Sequence, residues 1–158
     1  MNGLCIRQAS VGEIDTLMAW RMEVIREVFG LHDASAMPAL EQANRAYYLR
    51  AIPAGEHIAC LAVADGQTVG CGGVCLQREM PSPDNPGGGC AYLMNIYVRP
   101  AWRRQHVGSQ IVTWLVGEAR RRGITKIYLE TSDMGRTMYR HLGFEEMKNL
   151  LKLCPQHI

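Results

Sequence analysis

The sequence contains 158 residues, of which 47% are hydrophobic and 20% charged, and this size and composition predict one domain over residues 1–158 with one substantial core. The formal net charge of +2 and the isoelectric point of about 8.3 are too mild to indicate a nucleic-acid partner by themselves. Because we find neither a signal-peptide pattern nor an apolar run near the ~18 residues of a membrane span, we expect a cytoplasmic protein without a membrane partner.

The first part of the chain predicts one strand and two helices. Residues 4–10, LCIRQAS, alternate in polarity and indicate a strand. The S-x-x-E spacing of residues 10–13 is typical of a capping box, which begins a helix that we predict over residues 11–29 and that Gly30 ends. A weaker helical pattern covers residues 40–50.

A hairpin and a loop occupy the middle of the chain. Residues 57–64 and 68–77 have strand-like sequences, HIACLAVA and TVGCGGVCLQ, and the Asp65-Gly66 pair between them is typical of a two-residue hairpin turn. The prolines and glycines of PSPDNPGGG, residues 81–89, exclude a regular element, so we expect a mobile loop there. This loop either borders a substrate site or only connects two strands.

Strands and helices alternate in the last part of the chain. The predicted elements, in order, are a central strand over residues 90–98, a helix over 107–122, a strand over 125–131 and a short helix over 132–142. Pro100 ends the central strand, and the arginines of residues 120–122 suit the negative end of their helix. We expect residues 144–153, FEEMKNLLKL, to form a last strand that closes the sheet.

The segment between the central strand and the next helix has the order of an anion-binding loop. A helix start places free backbone N–H groups and the positive end of the helix dipole together. Arg103 and Arg104 can add charge-assisted hydrogen bonds, and Gly108 has no side chain to obstruct a phosphate. The missing GK[ST] excludes a Walker A loop, and the missing G-x-G-x-x-G argues against a dinucleotide site.

Two stretches carry a resemblance to a known family. Residues 92–112, YLMNIYVRPAWRRQHVGSQIV, followed by residues 127–147, IYLETSDMGRTMYRHLGFEEM, resemble the GNAT superfamily of acetyl-CoA-dependent N-acetyltransferases. The resemblance implies an α/β fold in which a mixed, largely antiparallel sheet is splayed between strands four and five and flanked by helices. It also implies that acetyl-CoA is the co-substrate and that an amine of a small molecule or peptide attacks it directly in a ternary complex.

The same resemblance implies where the co-substrate lies. The family's pyrophosphate loop, [RQ]-x-x-G-x-[GA], matches residues 103–108 except that His106 replaces the first glycine. Backbone N–H groups of residues 105–109 are expected to bind the pyrophosphate, and the pantetheine arm is expected to extend beside residues 96–98. The implied co-substrate residues are Ile96, Tyr97, Val98, Arg103, Arg104, Gln105, His106, Val107, Gly108, Ser109, Thr131, Ser132 and Gly135. His106 fits with its side chain turned outward if its φ is negative, and with some strain if its φ is positive.

Tyr139 is the residue that we expect to act chemically. It follows Gly135 by four residues, so both lie on one face of the short helix, and the glycine leaves room beside the phenol. The resemblance implies a general acid at this position, because a phenol with its ordinary pKa of about 10 keeps its proton at neutral pH and can protonate a departing thiolate. From the residues alone, a core aromatic is the simpler interpretation. Thr131 and Ser132 either cap the short helix or contact the co-substrate.

The sequence does not identify the general base or the acceptor. The side chains considered as a base are Glu23, Glu27, Glu79, Glu130, His32 and His57, and a water chain or an already neutral amine is the alternative. Asn95 cannot accept a proton but can position a substrate. The charged residues of the first helix, Arg21, Glu23, Arg26 and Glu27, either line a pocket that suits a small polar amine rather than an apolar one or form a solvated helix face. Asn95 and Glu27 are the candidate substrate residues.

Other functions are weighed against this enzyme. A non-catalytic acyl-CoA sensor would need the loop but no acceptor, and release of free CoA thiol over a panel of amines separates the two. Nucleic-acid binding by the arginines lacks the interleaved aromatic residues that it requires. The sequence is compatible with a homodimer. The six cysteines lack metal-ligand spacing, so we predict no metal site and expect reduced, buried thiols.

Overall fold

The structure, a computed structural model, describes residues 3–31 and 37–155. The strands and helices are β1 (Cys5–Ala9), α1 (Ile14–Val28), α2 (Pro38–Ala51), β2 (His57–Ala64), β3 (Gln67–Arg78), β4 (Gly89–Val98), α3 (Val107–Arg121), β5 (Lys126–Leu129) and α4 (Asp133–His141). Each corresponds to a predicted element, with bounds that move by a few residues. No helix within the described ranges is long and apolar enough to cross a membrane.

The predicted capping box is present at the start of the first helix. The Glu13 carboxylate accepts a hydrogen bond from the Ser10 N–H (3.1 Å) and is held from the other side by Arg7 (2.7 Å). A short 3-10 turn, Val11–Glu13, precedes α1, so the regular helix begins three residues later than the capping signal predicted. Gly30 follows the helix with φ +62°, which confirms the predicted stop.

The sheet is mixed and splayed, as the resemblance implied. Its strand order is β1-β2-β3-β4-β5, with antiparallel pairing up to β4 and a parallel pair between β4 and β5. That parallel pair ends at Leu93 and Leu129, whereas β4 continues to Val98. The two strands therefore diverge, and one edge of the second half of β4 has no strand partner.

Two apolar cores cover the two faces of the sheet. α3 and α4 pack on one face, where they meet Cys60 and Ala62 of β2. α1 and α2 pack on the other face, where they meet Ala59 and Leu61. Because side chains alternate between faces along a strand, β1 to β4 contribute to both cores, whereas Ile127 and Leu129 of β5 pack on the side of α3 and α4.

The C-terminal strand prediction is wrong. Residues 144–155 form no strand, and β5 is an edge of the sheet in the described chain. Arg136 and Arg140 of α4 bind Glu146 (2.6 and 3.0 Å), which draws this segment against α4 instead of alongside β5. Its leucines gain no burial that would favour pairing, since Leu150 and Leu151 are 63% and 97% exposed.

The loop between β3 and β4 is more structured than its composition indicated. Asn85 is buried, and its side-chain amide donates to Glu79 Oε1 (3.0 Å) and to the Gly89 carbonyl (3.1 Å). The expectation of a mobile loop is therefore replaced by a turn folded around one buried amide. The loop precedes β4 and so lies at the opposite end of that strand from residues 103–109.

The cysteines are only partly as expected. All six are free, and Cys60, Cys71 and Cys90 are buried, but Cys5 and Cys154 are exposed. Within residues 3–31 and 37–155, no three side chains of the metal-ligating types group as a metal site.

Candidate functional site

The first turn of α3 and the residues just before it form a candidate anion cradle. The backbone N–H groups of residues 105–109 have no hydrogen-bond acceptor among the residues that the structure describes. Two residues beside them, Arg104 and His106, have left-handed φ values of +60° and +61°. Unpaired N–H groups at a positive helix end bind anions such as phosphate. The loop therefore has the donors that a pyrophosphate group requires.

His106 occupies the strained one of its two expected conformations. With φ +61° and ψ 9° it is the residue immediately before α3, and its side chain is exposed. Its carbonyl accepts hydrogen bonds from the Ser109 hydroxyl (2.8 Å) and the Gln110 N–H (3.1 Å), which fixes the first turn of the helix. The position thus requires the backbone that glycine adopts freely, and the histidine contributes through its main chain.

Arg103 and Glu27 fasten the cradle to the rest of the molecule. Arg103 donates to the Val98 carbonyl (2.9 Å) and to Glu27 Oε1 (2.9 Å), and its guanidinium lies 5.7 Å from the centre of the Tyr97 ring. Glu27 is therefore an ion-pair partner of the loop and does not line either cavity described below. Arg104 is exposed beside the cradle, where it can approach an anion.

Gly108 brings α4 close to the start of α3. A Cβ atom at this position would lie 3.2 Å from Met138 Sδ and 3.8 Å from a Val98 methyl group. The missing side chain thus makes room for α4 as well as for the phosphate approach that the sequence suggested. Gln105 binds the Ala101 carbonyl through its side chain (3.1 Å), which leaves its backbone N–H for a ligand.

A bulge in β4 lies where β4 and β5 separate. Asn95 has φ +59°, and the register with β3 shifts between Cys71 and Gly73, so β4 carries an extra residue there. Beyond the bulge, Tyr97 packs towards α1 while Ile96 and Val98 pack towards α3. The edge of residues 96–98 that faces β5 is open to an extended ligand, as the resemblance implied for the pantetheine arm.

A cavity of about 230 Å³ lies between the bulge and the helices α1 and α2. Its lining residues are Arg21, Asn44, Tyr47, Tyr48, His57, Cys75, Met94 and Asn95. The sequence singled out Asn95 and considered His57 only as a base. It gave no signal for Tyr47, Tyr48 or Cys75, because their contacts depend on how α2 docks on the sheet.

His57 is buried and neutral in this cavity. Its Nδ1 lies 3.0 Å from the Tyr47 hydroxyl, and its Nε2 has no hydrogen-bond partner within the described chain. Nε2 faces Gly73, where a Cβ atom would be 2.8 Å away. Burial, aided by the charge of Arg21, lowers the pKa of His57 to about 4. His57 is therefore a weak base at neutral pH.

Tyr139 lies on the other face of the sheet, on α4. It is 9% exposed, packs edge-on against Phe144 (ring centres 5.7 Å apart) and lines a second, more open cavity of about 640 Å³. A Cβ atom on Gly135 would lie 3.3 Å from the Tyr139 ring and 2.6 Å from Thr131 Oγ1, so glycine is required there. Burial raises the pKa of Tyr139 to about 12, and its hydroxyl keeps its proton at neutral pH.

Thr131 and Ser132 connect β5 to α4. Thr131 Oγ1 donates to the Ser132 carbonyl (2.9 Å), and the same carbonyl accepts the Gly135 N–H (3.1 Å). The Ser132 side chain makes no capping hydrogen bond, so the capping interpretation of this serine is wrong. Its hydroxyl is exposed and free to contact a ligand.

The considered carboxylate bases all lie outside the 230 Å³ cavity. Arg99 binds both oxygens of Glu23 (3.0 and 2.9 Å) and thereby lowers the pKa of that carboxyl. Glu79 pairs with Lys126 (2.8 Å), and Glu130 is exposed at the end of β5. His32 lies outside the described residues.

Comparisons with known proteins agree with this geometry. A model of the acetyltransferase (GNAT) family matches residues 22–144. No curated protein matches the sequence significantly. A protein from Clostridium acetobutylicum, described as a predicted acetyltransferase and solved with acetyl-CoA, is 22% identical and superposes with a TM-score of 0.83 over 96% of each chain.

Two further solved structures share the fold. A GCN5-related N-acetyltransferase from Ralstonia eutropha JMP134 is 22% identical, with a TM-score of 0.80 over 96% of this chain and 99% of that one. An aminoglycoside acetyltransferase from an uncultured soil metagenomic sample, in complex with sisomicin, is 12% identical, with a TM-score of 0.74 over 97% and 95% of the chains. At these identities the structures show the shared fold alone. The family model, however, covers well over half of the chain, and the protein therefore belongs to the GNAT acetyltransferase family, a family of acyltransferases that use acetyl-CoA as co-substrate.

Proposed function

We propose that this protein transfers the acetyl group of acetyl-CoA directly to the amino group of a small acceptor, with both substrates bound together. The observation that carries this proposal is the open edge of β4, which runs from the anion cradle at α3 to the cavity beside Asn95. Acetyl-CoA supplies an acyl group that is activated as a thioester. A ligand on this edge would have its phosphates at one end and its acyl group near the acceptor cavity.

The chain's own residues fit this co-substrate at several points. The free N–H groups of residues 105–109 and the exposed Arg104 suit the pyrophosphate. The unpaired edge of residues 96–98 can hydrogen-bond an extended amide-bearing arm as a strand would. On the opposite side of the splay, the chain offers the co-substrate two contacts at α4, namely the Ser132 hydroxyl and the backbone of Gly135.

We assign the proton transfer to sulfur to Tyr139. Its hydroxyl bears a proton throughout the neutral range, because burial opposes the formation of a phenolate. Tyr139 Oη donates this proton to the sulfur atom as the thioester bond breaks. Gly135 lies close to one side of the Tyr139 ring, and the ring packs edge-on against Phe144. These contacts hold the phenol in one orientation, which is the requirement for a positioned acid.

Asn95 and solvent are assigned the orientation of the acceptor and the removal of its proton. The cavity beside Asn95 contains no carboxylate among its lining residues, and His57 is a weak base. We therefore expect that the acceptor either binds as the neutral amine or becomes the neutral amine in the site by releasing a proton to water. Asn95 orients the acceptor or that water through its amide. Release of free CoA thiol by the pure protein over a panel of amines tests the whole proposal.

Acetyl-CoA should stabilise the folded protein. A ligand that binds only the native state at 100 times its Kd raises the free energy of unfolding by about 2.7 kcal/mol. Thermal unfolding with increasing acetyl-CoA measures this gain. The matched control is S-acetyl-N-acetylcysteamine, which has the thioester but no pyrophosphate and should give no comparable shift at the same concentration. An absent shift with millimolar acetyl-CoA would contradict the assignment of the cradle.

Replacing His106 by glycine should be tolerated. The left-handed backbone costs an ordinary residue about 1–2 kcal/mol of stability, and glycine avoids this cost. Glycine in turn loses about 0.5–1 kcal/mol of stability, because its unfolded chain has more conformational freedom. We expect stability to rise by up to about 1 kcal/mol and acetyl-CoA affinity to stay within about tenfold, or about 1.4 kcal/mol. His106→Val, a β-branched residue at the same φ, should destabilise the protein. Denaturant unfolding and calorimetric titration measure both effects, and a much larger affinity loss in His106→Gly would make the imidazole itself a ligand.

A further inference from the structure

Arg21 of α1 is held in the acceptor cavity by two amides. Its Nε donates to Asn44 Oδ1 (2.9 Å) and its Nη1 donates to Asn95 Oδ1 (3.0 Å). A guanidinium has five N–H donors, so three remain after these two bonds. The amides fix the direction of the guanidinium without neutralising its charge.

Arg21, like Arg26 of the same helix, forms no ion pair with a carboxylate among the described residues, whereas four other arginines nearby do. Four arginines that belong to or contact α1 and α2 are each paired with a carboxylate: Arg45 with Asp15, Arg50 with Glu56, Arg99 with Glu23 and Arg103 with Glu27. Among the described residues, Arg21 forms no such ion pair. A partly buried arginine with free donors and no carboxylate is a binding site for an anionic group.

The other groups that line this cavity are neutral at pH 7. Burial lowers the pKa of His57 to about 4 and raises the pKa of Tyr48 to about 12. Burial also raises the pKa values of the Tyr47 phenol and the Cys75 thiol, which lie 3.0 Å apart. The lining therefore has one positive charge and no negative charge. A cationic acceptor would be repelled by this charge, whereas a polar acceptor with an anionic group would be attracted by it.

We propose that the acceptor is a small amino acid with an uncharged side chain, and that Arg21 binds its carboxylate while its amino group takes the acetyl group. This inference rests on the proposed function. The cavity volume of about 230 Å³ is below the ~300–1,000 Å³ typical of sites for drug-sized ligands, so the acceptor is small. The Tyr47 ring, the Met94 side chain and the Cys75 thiol offer an uncharged surface for the rest of the molecule.

The position of Arg21 explains which amine would react. Asn95, which accepts the Arg21 hydrogen bond, is the bulge residue at the open edge of β4. If Arg21 binds the carboxylate of an α-amino acid, the amino group on the adjacent carbon therefore lies next to that edge. The new bond joins this nitrogen to the acetyl carbon while the carbon–sulfur bond breaks. Water takes the proton lost by the neutral amine, and Tyr139 supplies the proton gained by sulfur. The Tyr139 phenolate then regains a proton from water, so the products are an N-acetyl amino acid and free CoA thiol.

The wild-type protein provides the first test. Release of CoA thiol is measured with small L-amino acids such as alanine, valine, leucine and methionine, each compared with its own carboxamide. The carboxamide keeps the shape but loses the negative charge, and because its amino group is also less basic, each pair is compared at equal concentrations of the neutral amine. We expect kcat/KM for at least one acid to exceed that of its amide by about 10²-fold, the scale of a charge-assisted pair. Equal or better turnover of the amides would overturn the inference.

Arg21→Gln provides the second test, with Arg45→Gln as the control, because Arg45 is a partly buried arginine of α2 that pairs with Asp15 and does not line the cavity. In Arg21→Gln the ratio of kcat/KM for the acid to kcat/KM for its amide should fall to about one, mainly because KM for the acid rises. The thermal shift caused by acetyl-CoA should be retained. Arg45→Gln should keep the wild-type preference. An unchanged preference in Arg21→Gln would overturn the inference.

The two proposals fail in different ways. If other amines release CoA thiol but no amino acid does, the amino-acid acceptor is wrong and acetyl transfer stands. If acetyl-CoA neither stabilises the protein nor loses its acetyl group to any amine, the proposed function itself is wrong. The acid and amide comparison needs no variant, so it remains decisive even if Arg21→Gln does not fold.

Discussion

Replacing Tyr139 by phenylalanine should lower kcat by about 10²- to 10⁴-fold, the usual contribution of a positioned general acid. The substitution keeps the ring that packs on Phe144 and over Gly135 and removes only the hydroxyl. Acetyl-CoA affinity should therefore change little. The raised pKa of Tyr139 predicts that the hydroxyl remains protonated across the neutral range, so the loss should be present throughout it.

The experiment compares kcat with acetyl-CoA affinity in the same variant. Tyr128→Phe is the matched control, because Tyr128 is a partly buried tyrosine of β5 whose hydroxyl binds only Gln77, at 3.4 Å, among the described residues. We expect near wild-type kcat in that control. If Tyr139→Phe loses binding and kcat equally, Tyr139 is a wall of the co-substrate site. If kcat does not change, the sulfur leaves without the help of this phenol.

Acidification should destabilise the protein through His57. The pKa of His57 is about 4 in the folded protein, whereas an ordinary histidine, as in the unfolded chain, has a pKa of 6.5. As the pH falls, the unfolded chain therefore takes up the proton first. The stability that His57 contributes is present above pH 6.5 and is lost between pH 6.5 and 4. At about 1.4 kcal/mol per pH unit, the loss from this residue is about 3 kcal/mol.

Urea unfolding at several pH values measures this dependence. Carboxylates such as Glu23, whose hydrogen bond from Arg99 lowers its pKa, also contribute, so the informative quantity is the difference between wild type and His57→Asn. The variant should be less stable at pH 7 but lose less stability on acidification. His141→Asn, which changes an exposed histidine of α4, should behave as wild type. Parallel pH profiles for wild type and His57→Asn would show that the imidazole is not buried as described.

Local signals in the sequence were sufficient for most of the fold. The Ser10 and Glu13 capping box, the Asp65-Gly66 turn and the glycines after the helices act over a few residues, so they can be recognised without tertiary structure. The position of the anion loop followed from the order of strand, arginines and helix start, and the splay of the sheet followed from the resemblance of two stretches to a family. The last strand was predicted wrongly because Glu146 is captured by arginines of α4, a contact between side chains that sequence spacing does not reveal.

The sequence by itself determined the family, through the resemblance of two stretches, and it predicted the anion loop, because both depend on residues that are neighbours in the chain. It also named Tyr139 as the candidate acid, a role that the resemblance implied. Only the tertiary structure forms the cavity that we propose for the acceptor. Arg21, Asn44, His57 and Asn95 come from two helices and two strands, and their shared cavity exists only once α1 and α2 pack on the sheet. The same packing pairs Glu27 with Arg103, whereas the partners of Arg21 among the described residues are two amides. The charge of the cavity is therefore a property of the folded chain, since it depends on which ion pairs the packing forms.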